Sequence, residues 1–485
     1  MRAAVAIVGC GPVGALLANL LGQAGHSVLV FEREAGVYHL PRAAHFDGEV
    51  MRVFQSAGLF DAMSARARAG HEGMRFVNAA GQLLLERKGL AGPGPHGHAG
   101  NYYFHQPEME EVLRTGLARF ERVRLLSRHD VYALADAGDH VDLRVENMAI
   151  GELIDARADY VVGCDGARSL VRRMLGSRNL DLGLHQPWLV VDAILKRPVN
   201  LPTHTVQYCD PARPRTYVNM VGNRRRWEIM LLPGEDPAQV AREENVWKLL
   251  GDDLSRDDAD FERAVVYTFH SVIAQGWRRG RLMIAGDSAH QTPPFLGQGL
   301  CAGVRDAANL TWKLDRVLRT RSPDTLLDTY ETERAPHVRA FIDLAVKLGA
   351  IIQATDPAMA AERDRRFAEA PEVFAFPQPV LGPGMVVTGS PAAGTIFPQP
   401  RVHDGTPLDQ ALGDGFGVVA RPLFAGHCAG WEGVAKVLIA DEGDALDTAL
   451  AEQGIGAAVL RPDRYVYGAA RDPAELAALA AAFRI

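Results

Sequence analysis

The sequence predicts an α/β protein in three parts: a parallel-sheet domain at the N-terminus, an antiparallel-sheet domain inserted into it, and a small α/β domain at the C-terminus. Three observations carry that reading. Residues 5–14 run Val-Ala-Ile-Val-Gly-Cys-Gly-Pro-Val-Gly, a small-residue helical stretch follows, and residues 28–32 are Val-Leu-Val-Phe-Glu: strand, glycine turn, helix, strand. Between residues 183 and 273 the pattern changes to long alternating runs, the period of half-buried antiparallel strands. Pro and Gly dominate residues 371–394, and short β runs with a terminal helix follow. The predicted parts are residues 1–182 with 274–390, then 183–273, then 391–485.

A chain of 485 residues suits about three domains. Its hydrophobic fraction of 47% is ample for packed cores, and the formal charge of −7, with acids and bases mixed, leaves no basic stripe for nucleic acid. Glycines break the first apolar run, so it reads as neither signal peptide nor membrane span, and a cytoplasmic protein is expected. Cys10, Cys164, Cys209, Cys301 and Cys428 are scattered without a C-x-x-C pair, which argues for reduced thiols and against a metal site.

In order along the chain, Gly9 permits the tight turn, Gly11 lets a pyrophosphate approach the backbone, and Gly14 lets helix and strand pack closely. The helix N-terminus, which begins at Pro12, offers N–H groups from Val13 onward to phosphates, and Glu32 ends the second strand where an acid meets a ribose hydroxyl. Arg42 lies in a loop before a helix containing Val50 and Phe54. Residues 74–87 read as a hairpin turning at Ala80-Gly81, and residues 89–100 as a loop. Gln106 stands at a strand–helix junction ahead of Pro107. Runs at 123–135 and 140–145 lead to a buried strand ending in Cys164-Asp165-Gly166. Residues 236–250 read as one helix inside the alternating region. A second buried strand ends in Gly286-Asp287, followed by a loop with Pro293, Gly297 and Gly299 and a long helix through Arg319. A further helix over 326–352 is expected to break near Pro336.

Three segments in this order, residues 9–14, 164–169 and 285–290, resemble the flavin-dependent aromatic hydroxylases of the para-hydroxybenzoate hydroxylase type. The chain looks most like the branch with 3-(3-hydroxyphenyl)propionate hydroxylase and the phenol and polyketide hydroxylases. That resemblance implies a Rossmann-like FAD-binding domain, an inserted substrate-binding sheet domain and a thioredoxin-like C-terminal domain. It implies FAD on Gly9, Gly11, Pro12, Val13, Gly14, Glu32, Arg33, Arg42, Gln106, Val131, Asp165, Gly286, Asp287, Pro293, Gly297, Gln298, Gly299 and Leu300, and the FAD is expected to be non-covalent because no His or Cys stands in an obvious flavinylation context and the glycine loops suffice for grip. It also implies the reaction: NADH or NADPH reduces the flavin, O2 adds at C4a, and the distal oxygen passes to an aromatic substrate. His427-Cys428 stands where a redox thioredoxin has two cysteines, so the C-terminal domain is expected to be structural, and a homodimer is one assembly it allows.

The substrate pocket is expected between the sheet domain and residues 293–300, with Tyr208 and Tyr217 as the candidate catalytic side chains on that wall. Another FAD oxidoreductase on this fold, such as an oxidase or Baeyer–Villiger-type oxygenase, and a flavin-binding protein without turnover stay open.

Overall fold

The computed structural model describes residues 1–369, 372–373 and 377–483. Arg2–Val8 pairs in parallel with Val28–Glu32 on one side and Glu152–Gly163 on the other. Val123–Ser127 extends the parallel sheet beyond the first partner, and Leu282–Ile284 beyond the second. The register sets Val8 beside both Phe31 and Gly163, and Gly163 beside Ile284. The loops that leave these strands therefore open along one sheet edge, where doubly wound folds bind ligands. Val5, Ile7, Val30 and Val162 are wholly buried, as continuous apolar strands covered on both faces must be. His129–Asp136 and Val141–Asn147 form an antiparallel meander against Glu152–Gly163, and the run expected over 123–135 is divided at Arg128, which takes φ +57°.

The second sheet runs in the order His290–Gln291, Ala259–Gln275, Arg178–Leu195, Arg224–Met230, Arg215–Asn219, Thr205–Cys209, Met74–Asn78, Leu83–Arg87, Glu372–Val373. It takes strands from outside residues 183–273, because Thr205–Cys209 pairs in parallel with Met74–Asn78 of the early hairpin. Alternation gives this sheet two different faces. On the outer face Leu189, Val191, Tyr217, Trp227 and Ile229 pack with Val246 and Leu250 of the helix Glu243–Leu250. On the inner face Trp188, Cys209 and Met230 pack with Phe295 and Leu296 and with Leu348 of the helix Thr329–Ile352.

Two helical expectations need correction, and one helix was not foreseen. Residues 236–250 form two helices, Pro237–Val240 and Glu243–Leu250, because Arg242 between them is extended at ψ 135°. Pro336 does not break the helix Thr329–Ile352. Gly382 packs against the turn before it, donating its N–H to Glu333 O at 2.9 Å, and a Cβ at Gly382 would fall 2.1 Å from Thr332 O. The helix Pro357–Glu369 was not anticipated, although Asp356 Oδ1 accepts from Ala358 N and Met359 N as a helix-starting Asp does. The expected linker over 371–394 falls partly outside the described residues. No helix among the described residues is long and apolar enough to cross a membrane.

The C-terminal sheet pairs Gly417–Ala420 in parallel with Lys436–Ile439 and antiparallel with Ala457–Leu460, which pairs with Val466–Ala470. Buried charges dock it. Arg52 donates twice to Asp409, at 2.6 and 2.7 Å, and once to Phe397 O at 2.6 Å. Glu333 accepts from Lys313 at 2.8 Å and Met385 N at 2.6 Å and lies 2.9 Å from Arg461. Burial opposes ionisation of Glu333, but Arg461 and Lys313 outweigh it and hold the carboxyl down at about 2. Burial, though relieved by Glu333, pulls Lys313 down to about 8, so Arg461 is the stronger cation of the pair.

A depressed carboxyl stabilises the fold fully above its unfolded value of 4.5 and loses that effect as pH falls towards about 2. Urea unfolding at descending pH should show the loss, and Glu333→Gln should flatten that limb; an identical acid limb in the variant would contradict the assignment.

Candidate active site

Main-chain atoms of the three loops meet at the sheet edge. Gly9 takes φ +97°, and a Cβ there would lie 2.5 Å from Cys164 O; a Cβ at Gly14 would lie 2.1 Å from Gly9 O. Neither position has room for a side chain. Gly11 differs, having an ordinary φ of −71° and no protein atom within 4 Å of where its Cβ would be. The space beside it adjoins the first turn of the helix Pro12–Gln23, whose leading N–H groups have no partner within the helix. Val13 ties that helix to the third loop: Cβ atoms at Gly286 and Gly303 would come within 2.9 and 2.5 Å of its Cγ2.

Glu32 is nine-tenths buried and accepts Cys10 N at 2.8 Å and Glu34 N at 2.9 Å, leaving each carboxylate oxygen a lone pair for a ligand hydroxyl. Arg33 is exposed beside Glu34. The Arg42 loop is held at its main chain: Gln106 Oε1 accepts from Arg42 N at 2.9 Å and Ala43 N at 2.6 Å, while Arg226 donates to Arg42 O at 2.7 Å. Gln106 Nε2 donates to Glu110 at 2.7 Å, so this amide shapes the loop. Val131 is buried opposite Val145 in the meander.

Asp165 accepts from the N–H groups of Leu170 and Val171, which start the helix Leu170–Leu175, and from Ser288 Oγ at 3.1 Å. Ser288 Oγ also accepts from Gly166 N at 2.9 Å, so the second and third loops are joined through one hydroxyl. Asp306, on the helix Gly299–Leu318, secures the third loop from below: it accepts Gly286 N at 3.1 Å, His290 Nε2 at 2.6 Å and Arg334 Nε at 2.9 Å. Burial works against its charge, yet His290 and Arg334 hold its carboxyl below the usual range. Asp287 follows Gly286 in the third loop, near His290 and Arg42. Its side chain is exposed, but the atoms crowding the recess push its carboxyl up, with His290 and Arg42 opposing. It makes no hydrogen bond or ion pair with another described residue, and Thr292 Oγ1 is buried without a partner nearby in the chain. Unsatisfied groups of this kind fit a hydroxyl-bearing ligand chain.

After Pro293 the chain turns at Gly297, φ +63°, and enters the helix Gly299–Leu318, so Gly299 and Leu300 N–H groups lead a 20-residue helix. Such an end stabilises negative charge by about 0.3–2 kcal/mol. Gln298 turns inward, its side chain bonded to Arg305 at 3.1 Å and Asp47 at 3.3 Å.

Residues 2–345 match the FAD binding domain family. A probable NADH-specific resorcinol 4-hydroxylase of Rhodococcus jostii (strain RHA1) is 38% identical over 98% of this chain and 93% of its own length. The chain belongs to the FAD-dependent aromatic hydroxylases. A 3-(3-hydroxy-phenyl)propionate/3-hydroxycinnamic acid hydroxylase 2 of Burkholderia vietnamiensis (strain G4 / LMG 22486) is 35% identical over 100% of this chain and 96% of its own. The crystal structure of the flavin-dependent monooxygenase PieE in complex with FAD and substrate shares the fold, with a TM-score of 0.84 at 23% identity over 99% of this chain and 98% of that one.

Tyr208 and Tyr217 do not stand on the wall that meets residues 293–300. Both lie on the outer face: Tyr217 packs 5.3 Å from the Trp227 ring, and Arg215 lies 4.4 Å over Tyr208, beside a surface groove of about 320 Å³ lined by His204 and Val206. The Tyr217 hydroxyl lies near Arg225 without a hydrogen bond, and burial pushes it up to about 12. The correction is one of register, since a strand's odd and even positions face opposite ways. On the inner face stand Gln207, Thr216 and Glu228, Gln207 accepting from Thr216 at 2.5 Å, and burial pushes the Glu228 carboxyl up.

Gly11→Ala should fold normally but lose at least about tenfold in FAD affinity, about 1.4 kcal/mol, whereas Gly14→Ala should lower the melting temperature; fluorescence titration with FAD and thermal denaturation check both. Asp287→Ala should lose FAD on dialysis with its apoprotein stability unchanged, because the missing bonds are to ligand; full FAD retention would count against the role.

Proposed function

We propose that this hydroxylase holds FAD non-covalently across the crevice and oxygenates a small phenol, with NADH as reductant. The observation that carries the cofactor assignment is the set of unsatisfied groups along one edge: the space at Gly11, the free carboxyl of Asp287 and the helix end at Gly299. Residues 9–14 would take the pyrophosphate, Glu32 a ribose hydroxyl, Asp287 the ribityl chain, and the N–H groups of Gly299 and Leu300 the negative edge of the reduced ring. FAD supplies the redox chemistry that activates O2.

The substrate would lie between residues 293–300 and the inner face of the second sheet. That wall is framed by the Arg226 contact to the Arg42 loop at one end and the Trp188 and Phe295 packing at the other, with Gln207, Thr216 and Glu228 between. Arg226 and Arg263 on this face are already paired with Asp192, at 2.7 and 2.6 Å, so the wall suits a neutral phenol such as resorcinol. In the C-terminal part, which we read as thioredoxin-like, Cys428 is buried, with burial pushing its thiol up, and it serves packing.

The purified holoenzyme should oxidise NADH faster when resorcinol is added and yield a product one oxygen atom heavier. NADH oxidation that no phenol stimulates, with peroxide as the sole product, would contradict the proposal, and flavin that stays on acid-precipitated protein would contradict non-covalent binding.

A further inference from the structure

Most polar side chains on the inner face of the second sheet bond to one another. Asp192 accepts Arg226 Nε at 2.7 Å and pairs with Arg263 at 2.6 Å. Gln207 accepts the Thr216 hydroxyl at 2.5 Å, and the Tyr267 hydroxyl, across from Trp188 on the strand Ala259–Gln275, accepts Arg263 at 3.4 Å. Glu228 is different. Across the sheet it stands between Val190 and Thr216. Its neighbours on the same face of the strand Arg224–Met230 are Arg226, which holds the Arg42 loop, and Met230, which packs with Phe295 and Leu296. The carboxylate lies 3.9 Å from the Arg226 guanidinium, too far for a hydrogen bond, and no other described residue donates to it. The side chain keeps 10% of its exposure, so space the size of a water molecule reaches it. A carboxylate with open lone pairs in so buried a place lacks the donor that such groups normally have.

We propose that Glu228 is the base that accepts the hydroxyl of the substrate and takes its proton. The inference rests on the phenol-hydroxylase reading, which seats the ring between residues 293–300 and this face. The phenol O–H bond breaks, an O–H bond forms on the Glu228 carboxyl, and the electron pair stays on the phenolate oxygen, enriching the ortho and para ring carbons where oxygen is added. Charge on the wall balances at both stages. Before transfer Arg226 and Arg263 face Asp192 and Glu228; afterwards the phenolate replaces Glu228 as the second anion, and residues 293–300 bring no charge of their own. Burial raises the Glu228 carboxyl above its ordinary 4.5, with Arg226 opposing, Asp192 adding to the rise and Arg263 opposing, which brings the base closer to a phenol's value of about 10.

The test uses holoenzyme, resorcinol and NADH. Glu228→Gln keeps the volume and removes the base. It should retain FAD, lose at least about 100-fold in hydroxylation at pH 7 and divert NADH use to peroxide. Wild-type kcat/KM should rise with pH along a limb centred above 4.5, because the base works deprotonated. The variant should lack that limb and gain activity only as pH approaches the phenol's own value of about 10. Wild-type coupling and pH profile in Glu228→Gln would overturn the proposal. Glu228→Asp separates chemistry from packing: it should keep an acid limb and exceed the Gln variant in rate, whereas equal losses in the two would overturn the assignment. Resorcinol binding to the oxidised enzyme, followed by the flavin spectrum, is a readout that needs no turnover. The dissociation constant should rise as pH falls and Glu228 is protonated, since a charged acceptor bonds more strongly than a neutral one, and it should be flat in Glu228→Gln. Affinity independent of pH in the wild type counts against the base, whereas pH-dependent binding without oxygenation of the phenol counts against the hydroxylase reading alone.

Discussion

Gly9, Gly14 and Cys164 approach so closely that their main chains leave no room for a side chain, and the crevice depends on that contact. It follows from the register of the parallel strands, which brings Val8, Phe31, Gly163 and Ile284 level at one edge. Once the strand ends are level, the loops must be joined, and the chain uses buried polar groups to do it. Ser288 links the second loop to the third, and Asp306 anchors the third to the helix beneath. A buried carboxylate removed from such a network leaves its cations unpaired, at a cost of about 3–5 kcal/mol. These groups hold the crevice in shape, while Gly11 has open space beside it and Asp287 makes no hydrogen bond or ion pair with another described residue.

The same economy governs the substrate side. Arg226 is wholly buried and forms a salt bridge with Asp192 while donating to Pro41 O and Arg42 O, so one guanidinium sets the distance between the inner sheet face and the Arg42 loop. A second charged cluster joins residues 47–49 and Gln298 to the C-terminal part. Arg305 reaches Asp47, Glu49 and Gln298, and Tyr465 donates to Glu49 at 2.9 Å. The C-terminal part is therefore coupled to the loop through packing and charge.

The parallel-sheet domain was legible because its signals are local. Glycine spacing, a terminal acid and apolar runs lie within a few residues of one another, and the strand Arg2–Val8, the helix Pro12–Gln23 and the strand Val28–Glu32 follow them. The C-terminal strands followed in the same way. Distance in the chain hid the rest. Nothing local announces that Met74–Asn78 joins the second sheet, or that Gln106 bonds back to a loop some sixty residues earlier. The tyrosines were misplaced because alternation shows that a strand has two faces without saying which one meets residues 293–300. That assignment needed the packing of Trp188 and Met230 on Phe295 and Leu296.

The most direct test of the account is a crystal structure of the holoenzyme with resorcinol bound. The pyrophosphate should lie against Gly11, the ribityl chain at Asp287, and the phenol between residues 293–300 and the Gln207–Thr216–Glu228 row. A phenol seated instead on the outer face beside Tyr208, or a flavin that does not touch Asp287, would contradict it.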